Sequence, residues 1–119
     1  MTTLKAEIVL SLEDNSTREE FRFSTICPQC GKTVHSKPIR FSKAGIIPSS
    51  DGKSEIFRVL YEREKLQAYE LALKDITGHL SLCPICGMMV CDNCFMVCED
   101  IDMCAACARR LDEAGEPVL

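Results

Sequence analysis

Long apolar runs are missing from this chain: no stretch approaches the roughly 18 apolar residues that a membrane-spanning helix needs. The first residues, Met1-Thr2-Thr3-Leu4-Lys5-Ala6-Glu7-Ile8, show no cationic segment leading into an unbroken apolar run, so they do not read as a secretory signal. There is no Gly-x-Ser-x-Gly, no phosphate-binding loop and no His-Glu-x-x-His, which removes the common hydrolase, nucleotide and zinc-protease motifs. With no catalytic constellation, the chain is not expected to be an enzyme. With no leader and no span, it is expected in the cytoplasm and away from membranes. Disulfides are rare in that compartment.

Cysteine is abundant. The 119 residues hold nine cysteines, at Cys27, Cys30, Cys83, Cys86, Cys91, Cys94, Cys98, Cys104 and Cys107. Eight of them fall into four Cys-x-x-Cys pairs. Such a turn lets two thiolates reach one ion at about 2.3 Å, and structural zinc takes four ligands in a tetrahedron. Four pairs therefore supply two closed four-cysteine sites, and two zinc ions per chain are expected. Cys27-Pro28-Gln29-Cys30-Gly31 and Cys83-Pro84-Ile85-Cys86-Gly87 have the form of zinc knuckles. In each, proline stiffens the turn and glycine lets the backbone leave it with positive φ.

Other chemistries use the same residues. Cys-Pro-x-Cys occurs as a redox motif in thioredoxin-like proteins, but residues 1–40 do not offer the βαβ context. Iron–sulfur clusters also take four thiolates, although the knuckle glycines and the paired spacing favour zinc. Cys98 stands outside the pairs. It reads as an inert, packed thiol, or as the reactive group of a redox or metal sensor. His35 and His79 are possible ligands that eight paired cysteines make unnecessary.

The net charge of −4 is unevenly spread. Residues 21–58 carry an excess of five positive charges, including Arg22, Lys32, Lys37, Arg40 and Lys43, while residues 66–119 carry an excess of six negative ones. Each occupied four-cysteine site would add a formal −2. An acidic whole repels phosphates, so nucleic acid is not the first partner expected. A nucleic-acid-binding zinc finger using the basic segment 22–58 remains the alternative.

Residues 4–12 alternate, with Leu4, Ala6, Ile8, Leu10 and Leu12 on one face, and residues 19–26 alternate again around Phe21 and Phe23. That period predicts two strands. With Glu13-Asp14-Asn15-Ser16 as the turn, they form a hairpin leading into the first cysteine pair. Residues 32–41 read as a further strand, kept to an edge by Pro38. Residues 42–53 read as a loop. A helix follows with Ser54 as N-cap, Glu55 in its first turn and Gly78 at its end. Its predicted core stripe is Leu66, Tyr69, Leu73, Ile76 and Leu80. A short helix is expected over 105–113, stopped by Gly115 and Pro117.

The stretch Cys83-Pro84-Ile85-Cys86-Gly87-Met88-Met89-Val90-Cys91-Asp92-Asn93-Cys94 resembles the centre of FYVE-type zinc fingers. These carry two Cys-x-x-Cys pairs four residues apart, glycine after the second cysteine and an apolar residue before the third. The flanking pairs, Cys27/Cys30 and Cys104/Cys107, match the outer pairs in order. The resemblance covers residues 27–31 and 83–108. It implies a treble-clef, RING-like cross-brace: Cys27, Cys30, Cys91 and Cys94 on one zinc, and Cys83, Cys86, Cys104 and Cys107 on the other. It also implies that the last pair leads into a helix. Reach alone leaves a sequential scheme open, in which Cys83, Cys86, Cys91 and Cys94 share one ion. Lipid-reading FYVE fingers carry a basic, histidine-rich stretch where this chain has Leu80-Ser81-Leu82, so the resemblance extends to the metal arrangement and not to lipid. As a first RING pair, Cys83/Cys86 is followed by too little chain, and ubiquitin-ligase activity is not expected.

Together these readings predict a small α+β, zinc-stabilised single domain over 1–119: a β-hairpin (1–26), a first knuckle and strand (27–41), a loop and helix insertion (42–80), and the second knuckles with a C-terminal helix (81–114). In the cross-brace the inserted helix would be clamped at both ends. The expected function is a zinc-binding interaction module that recognises a protein partner, with the nucleic-acid reading and the thiol sensor as alternatives.

Overall fold

The computed structural model describes residues 12–118. The predicted first strand, residues 4–12, lies outside them but for Leu12. The chain is α+β, as expected: short antiparallel strands, one long helix and one short helix. The strands are β1 (Glu13–Asp14), β2 (Glu20–Phe21), β3 (Phe23–Ile26), β4 (Thr33–His35), β5 (Ile39–Arg40), β6 (Leu80–Leu82), β7 (Met89–Cys91), β8 (Phe95–Cys98), β9 (Met103–Cys104) and β10 (Gly115–Pro117). The helices are α1 (Asp51–Thr77) and α2 (Ala105–Arg110).

Around the first knuckle the order is β1-β3-β4, all antiparallel, with Asp14 opposite Phe23 and Thr25 opposite Val34. The hairpin reverses later than its polar cluster suggests. Glu13 and Asp14 are still strand, and the Asn15 amide donates to the Arg22 carbonyl at 2.8 Å. The reversal is held by Thr17, whose hydroxyl accepts from the amides of Glu19 and Glu20. The predicted strand over 32–41 is two strands. The Ser36 hydroxyl and amide bond the backbone of Phe23, and the chain bends through Lys37 and Pro38 before β5 pairs with β2. Pro38 has no N–H to continue a ladder.

The cap of helix α1 lies four residues before the predicted one. Ser50 is extended (φ −159°) and its hydroxyl accepts the Lys53 amide at 3.1 Å, so Ser54 already lies in the first turn. Gly78 does end the helix. The predicted stripe holds in part: Ile76 and Leu80 are buried, Tyr69 and Leu73 half-buried, and Ala68 and Ala72 complete the core face. Ala68, Ala72 and Ile76, spaced by four, are the helix's buried residues, whereas Leu66 is 70% exposed and Leu80 belongs to β6. The small side chains of Ala68 and Ala72 let the helix lie close on Phe21, Phe23 and Phe41. Edge-to-face rings complete that cluster, with Phe23–Tyr69 and Phe41–Tyr61 centroids each 5.2 Å apart.

One turn further on, Ile76 is fully buried in a second core with Leu80, Val90, Met103, Ala108 and the cysteines. The helix is therefore held along its C-terminal part, from Leu60 onward, and not clamped at both ends. Its first nine residues, Asp51–Val59, are exposed except for the half-buried Phe57. Among the described residues, no helix is long and apolar enough to cross a membrane.

The short helix also departs from expectation. Asp112 takes a left-handed conformation (φ +56°), which Asp tolerates better than most residues, and Glu113 donates its amide to the Ala108 carbonyl at 2.8 Å. That motif stops α2 at Arg110, so Gly115 and Pro117 are free to form β10 on β8.

Candidate metal centre

Two knuckles of the same construction begin the two sites. In the first, the Cys27 amide donates to the Lys32 carbonyl (2.8 Å) and the Gly31 amide to the Cys27 carbonyl (2.9 Å). In the second, Cys83 donates to Met88 (2.9 Å) and Gly87 to Cys83 (2.8 Å). Gly31 (φ +75°) and Gly87 (φ +78°) are left-handed, and a Cβ at either would meet nothing within 4 Å. The backbone angle, not space, calls for glycine there.

The other two pairs are presented differently. Cys91 ends β7, and Cys94 closes a 3-10 turn over Asp92–Cys94. Cys104 ends β9 and caps α2, its sulfur accepting the Cys107 amide at 3.4 Å.

The pairs alternate between two clusters. Cys27, Cys30, Cys91 and Cys94 come together in one, and Cys83, Cys86, Cys104 and Cys107 in the other, with the ligand atoms of each set within 4.8 Å of one another. These are the sets that the FYVE-like resemblance implies, and the sequential set does not form. The Cys30 and Cys91 sulfurs are 3.5 Å apart, and those of Cys86 and Cys104 are 3.7 Å apart. Both values are too long for a disulfide, and all nine cysteines are free. They are close to the edge, about 3.8 Å, of a tetrahedron whose centre lies about 2.3 Å from each sulfur. Sulfurs this close surround a single ion, whereas the several metal atoms of an iron–sulfur cluster would hold them further apart. The donor set and its spacing thus fit two zinc ions per chain.

The hydrogen bonding repeats between the sites. The Cys91 amide points at the Cys27 sulfur (3.4 Å) and the Cys104 amide at the Cys83 sulfur (3.3 Å). Burial pushes the Cys27 thiol up, but the amides of Cys91, Cys30 and Gln29 outweigh it and bring it down to about 6. At Cys83, burial is likewise outweighed by the amides of Cys104, Cys86 and Ile85, again to about 6. Their companions move the other way. Burial and then the neighbouring cluster thiols raise Cys91 and Cys94, and the same two causes push Cys107 up to about 12. Four sulfurs in contact cannot all ionise together without a cation. A divalent ion supplies the charge that makes the full tetrathiolate stable. Arg110, one turn beyond Cys107, brings its guanidinium to 4.0 Å from that sulfur. The sequence analysis missed this contact; its signal is the i, i+3 spacing on a helix.

The remaining candidates lie outside both clusters. His35 is an exposed residue of β4, and His79 places Nε2 3.7 Å from an Asp75 carboxylate oxygen. Cys98 is half-buried on β8; burial, then Glu113 and Asp102, raise its thiol above the ordinary range. A Cβ on Gly115 would come within 2.7 Å of the Cys98 sulfur and 2.9 Å of the Val97 carbonyl oxygen, so β10 can approach β8 only because residue 115 is glycine. In the basic segment, Phe21, Phe23 and Phe41 are buried.

No protein-family model matches the chain, and neither a curated protein nor a solved structure shows significant similarity to it.

Proposed function

We propose that this chain is a two-zinc cross-brace module of the treble-clef kind, without catalytic activity, that presents a surface to a protein partner in a reducing compartment such as the cytoplasm. The observation that carries the reading is the alternation of the four cysteine pairs between two closed sets of thiols. A closed site of four cysteines leaves no coordination position for substrate or water, which argues for a structural metal. Partner recognition is supported by what the zinc core holds out. The first nine residues of α1 and the loop before it expose Ile46, Ile47, Ile56 and Val59, with Ile47 88% accessible. Exposed aliphatic groups on a projecting helix suit insertion into a groove of another protein. The nucleic-acid alternative draws on the basic charges alone, because Phe21, Phe23 and Phe41 are buried and Phe57 is half-buried, which leaves no fully exposed ring for base stacking.

The test compares the zinc-loaded chain, the metal-stripped chain and an Ile56→Asp, Val59→Asp variant in affinity capture from the source cell, followed by binding titration with the captured protein. The expected result is one partner lost in both altered forms. Equal binding by the metal-stripped chain would remove the zinc-module reading. Retention on RNA or DNA that falls steeply with salt would instead favour the nucleic-acid alternative.

A further inference from the structure

The two centres are not uniformly shielded. In each, three sulfur-bearing residues are buried and one is exposed, and the exposed one is the second cysteine of the knuckle: Cys30 in the first centre and Cys86 in the second. Each exposed thiol stands in van der Waals contact with a buried one from a different pair, Cys30 with Cys91 at 3.5 Å and Cys86 with Cys104 at 3.7 Å. The first cysteine of each knuckle is shielded twice. Cys27 and Cys83 are 1% and 0% accessible, and their sulfurs face the amides of Cys91 and Cys104.

We propose that Cys30 and Cys86 are the modification sites through which a disulfide oxidant of the glutathione class opens the two centres. This rests on the reading that both centres hold zinc. In the first step the exposed thiolate attacks one sulfur of the oxidant; the oxidant's S–S bond breaks and one thiolate leaves. The product is a mixed disulfide on Cys30 or Cys86. In the second step the buried neighbour, Cys91 or Cys104, attacks the cysteine sulfur of that mixed disulfide and displaces the second thiolate. Two protein thiolates lose two electrons in all, and one disulfide oxidant becomes two thiols after protonation by water. The ion is left with two of its four ligands and departs. The cross-links formed, Cys30–Cys91 and Cys86–Cys104, join separate cysteine pairs, so the oxidised chain stays tied across the same elements that the metal had joined. Exposure selects the entry sulfur, because the oxidant must reach it in line with its own S–S bond. Cys98 plays no part: it is outside both clusters, and its neighbours Glu113 and Asp102 are acidic.

The experiment uses the full chain as a Cys98→Ser variant, loaded with zinc and counted by native mass spectrometry. It is exposed to oxidised glutathione and quenched at intervals. Peptide mapping locates the first glutathione adducts and the final disulfides, while a chromogenic chelator follows zinc release. A starting count of two, first adducts on Cys30 and Cys86, final links Cys30–Cys91 and Cys86–Cys104, and zinc released in step with the links are expected. A Cys30→His variant keeps a metal-ligating side chain at residue 30 but no entry thiol. It is expected to hold the first zinc at least tenfold longer while the second leaves at the unaltered rate. Where Cys30→His does not bind two ions, a Cys86→His variant is read in the same way at the other centre. A starting count other than two would overturn the zinc reading itself. With two ions present, first adducts on Cys27, Cys83, Cys91 or Cys104, or final links within the knuckles, would overturn this proposal alone.

Discussion

Replacing Cys91 and Cys94 together with serine tests the ligand sets directly. The two residues supply half of one cluster and none of the other. Structural zinc contributes on the order of 10–16 kcal/mol in finger peptides, as much as the roughly 5–15 kcal/mol that holds a whole small domain folded. Two cysteines cannot retain that ion in a structural site, so the first centre empties and the ordering of the knuckle at Cys27–Cys30 goes with it. The second centre is drawn from residues 83–107 and keeps all four ligands, with Cys104 still capping α2. The expected zinc count therefore falls from two to one. In a short alkylation pulse the labelling of Cys27 and Cys30 rises steeply, while Cys83, Cys86, Cys104 and Cys107 are labelled no faster than in the unaltered chain. Native mass spectrometry gives the count and peptide mapping gives the positions. Labelling of Cys83 and Cys86 with Cys27 and Cys30 protected would refute the alternating arrangement and restore the sequential scheme.

Complete chelation of zinc is expected to unfold at least residues 83–110, because the second core is built largely of the cysteines themselves; unchanged circular dichroism and melting after metal removal would contradict this. Gly115→Ala sets two effects against each other: overpacking against Val97 and Cys98 costs about 1–3 kcal/mol, while the stiffer unfolded chain returns about 0.4–1 kcal/mol. The net is a loss centred on about 1.3 kcal/mol, read as a melting point several degrees lower, partly recovered by adding Cys98→Ala; a higher melting point, or no recovery from Cys98→Ala, would refute the close approach. Zinc uptake is expected to release at least about two protons per ion near neutral pH, since Cys91 and Cys94 in one centre and Cys86 and Cys107 in the other are all raised; calorimetry in buffers of different ionisation enthalpy counts them, and a value near zero would refute the assignment.

What sequence alone determined is what short-range geometry determines. A Cys-Pro-x-Cys-Gly turn is closed by hydrogen bonds within six residues, so both knuckles and the positive φ of Gly31 and Gly87 were legible from their spelling. The α+β class, the long and short helices and the eight-cysteine donor set were legible for the same reason.

What only the tertiary structure decided is which distant parts meet. Cys30 and Cys91 are sixty-one residues apart, and local reach allowed two pairings. The choice follows from the sheets and from the packing of Ile76 and Leu80 into the cysteine core, which carries the chain from one site to the other. The helix face was legible only in part: Ile76 packs inward as its spacing suggests, but Leu66 at the same spacing is exposed. The packed face is built on Ala68 and Ala72, whose small size lets the helix meet a wall of aromatic rings that no local pattern announces. Gly115 and Pro117 spell a helix stop, but Asp112 stops the helix first, and the glycine is needed where β10 crosses close to Cys98. Composition shows that a residue is small or polar; only the neighbour it faces shows why it must be.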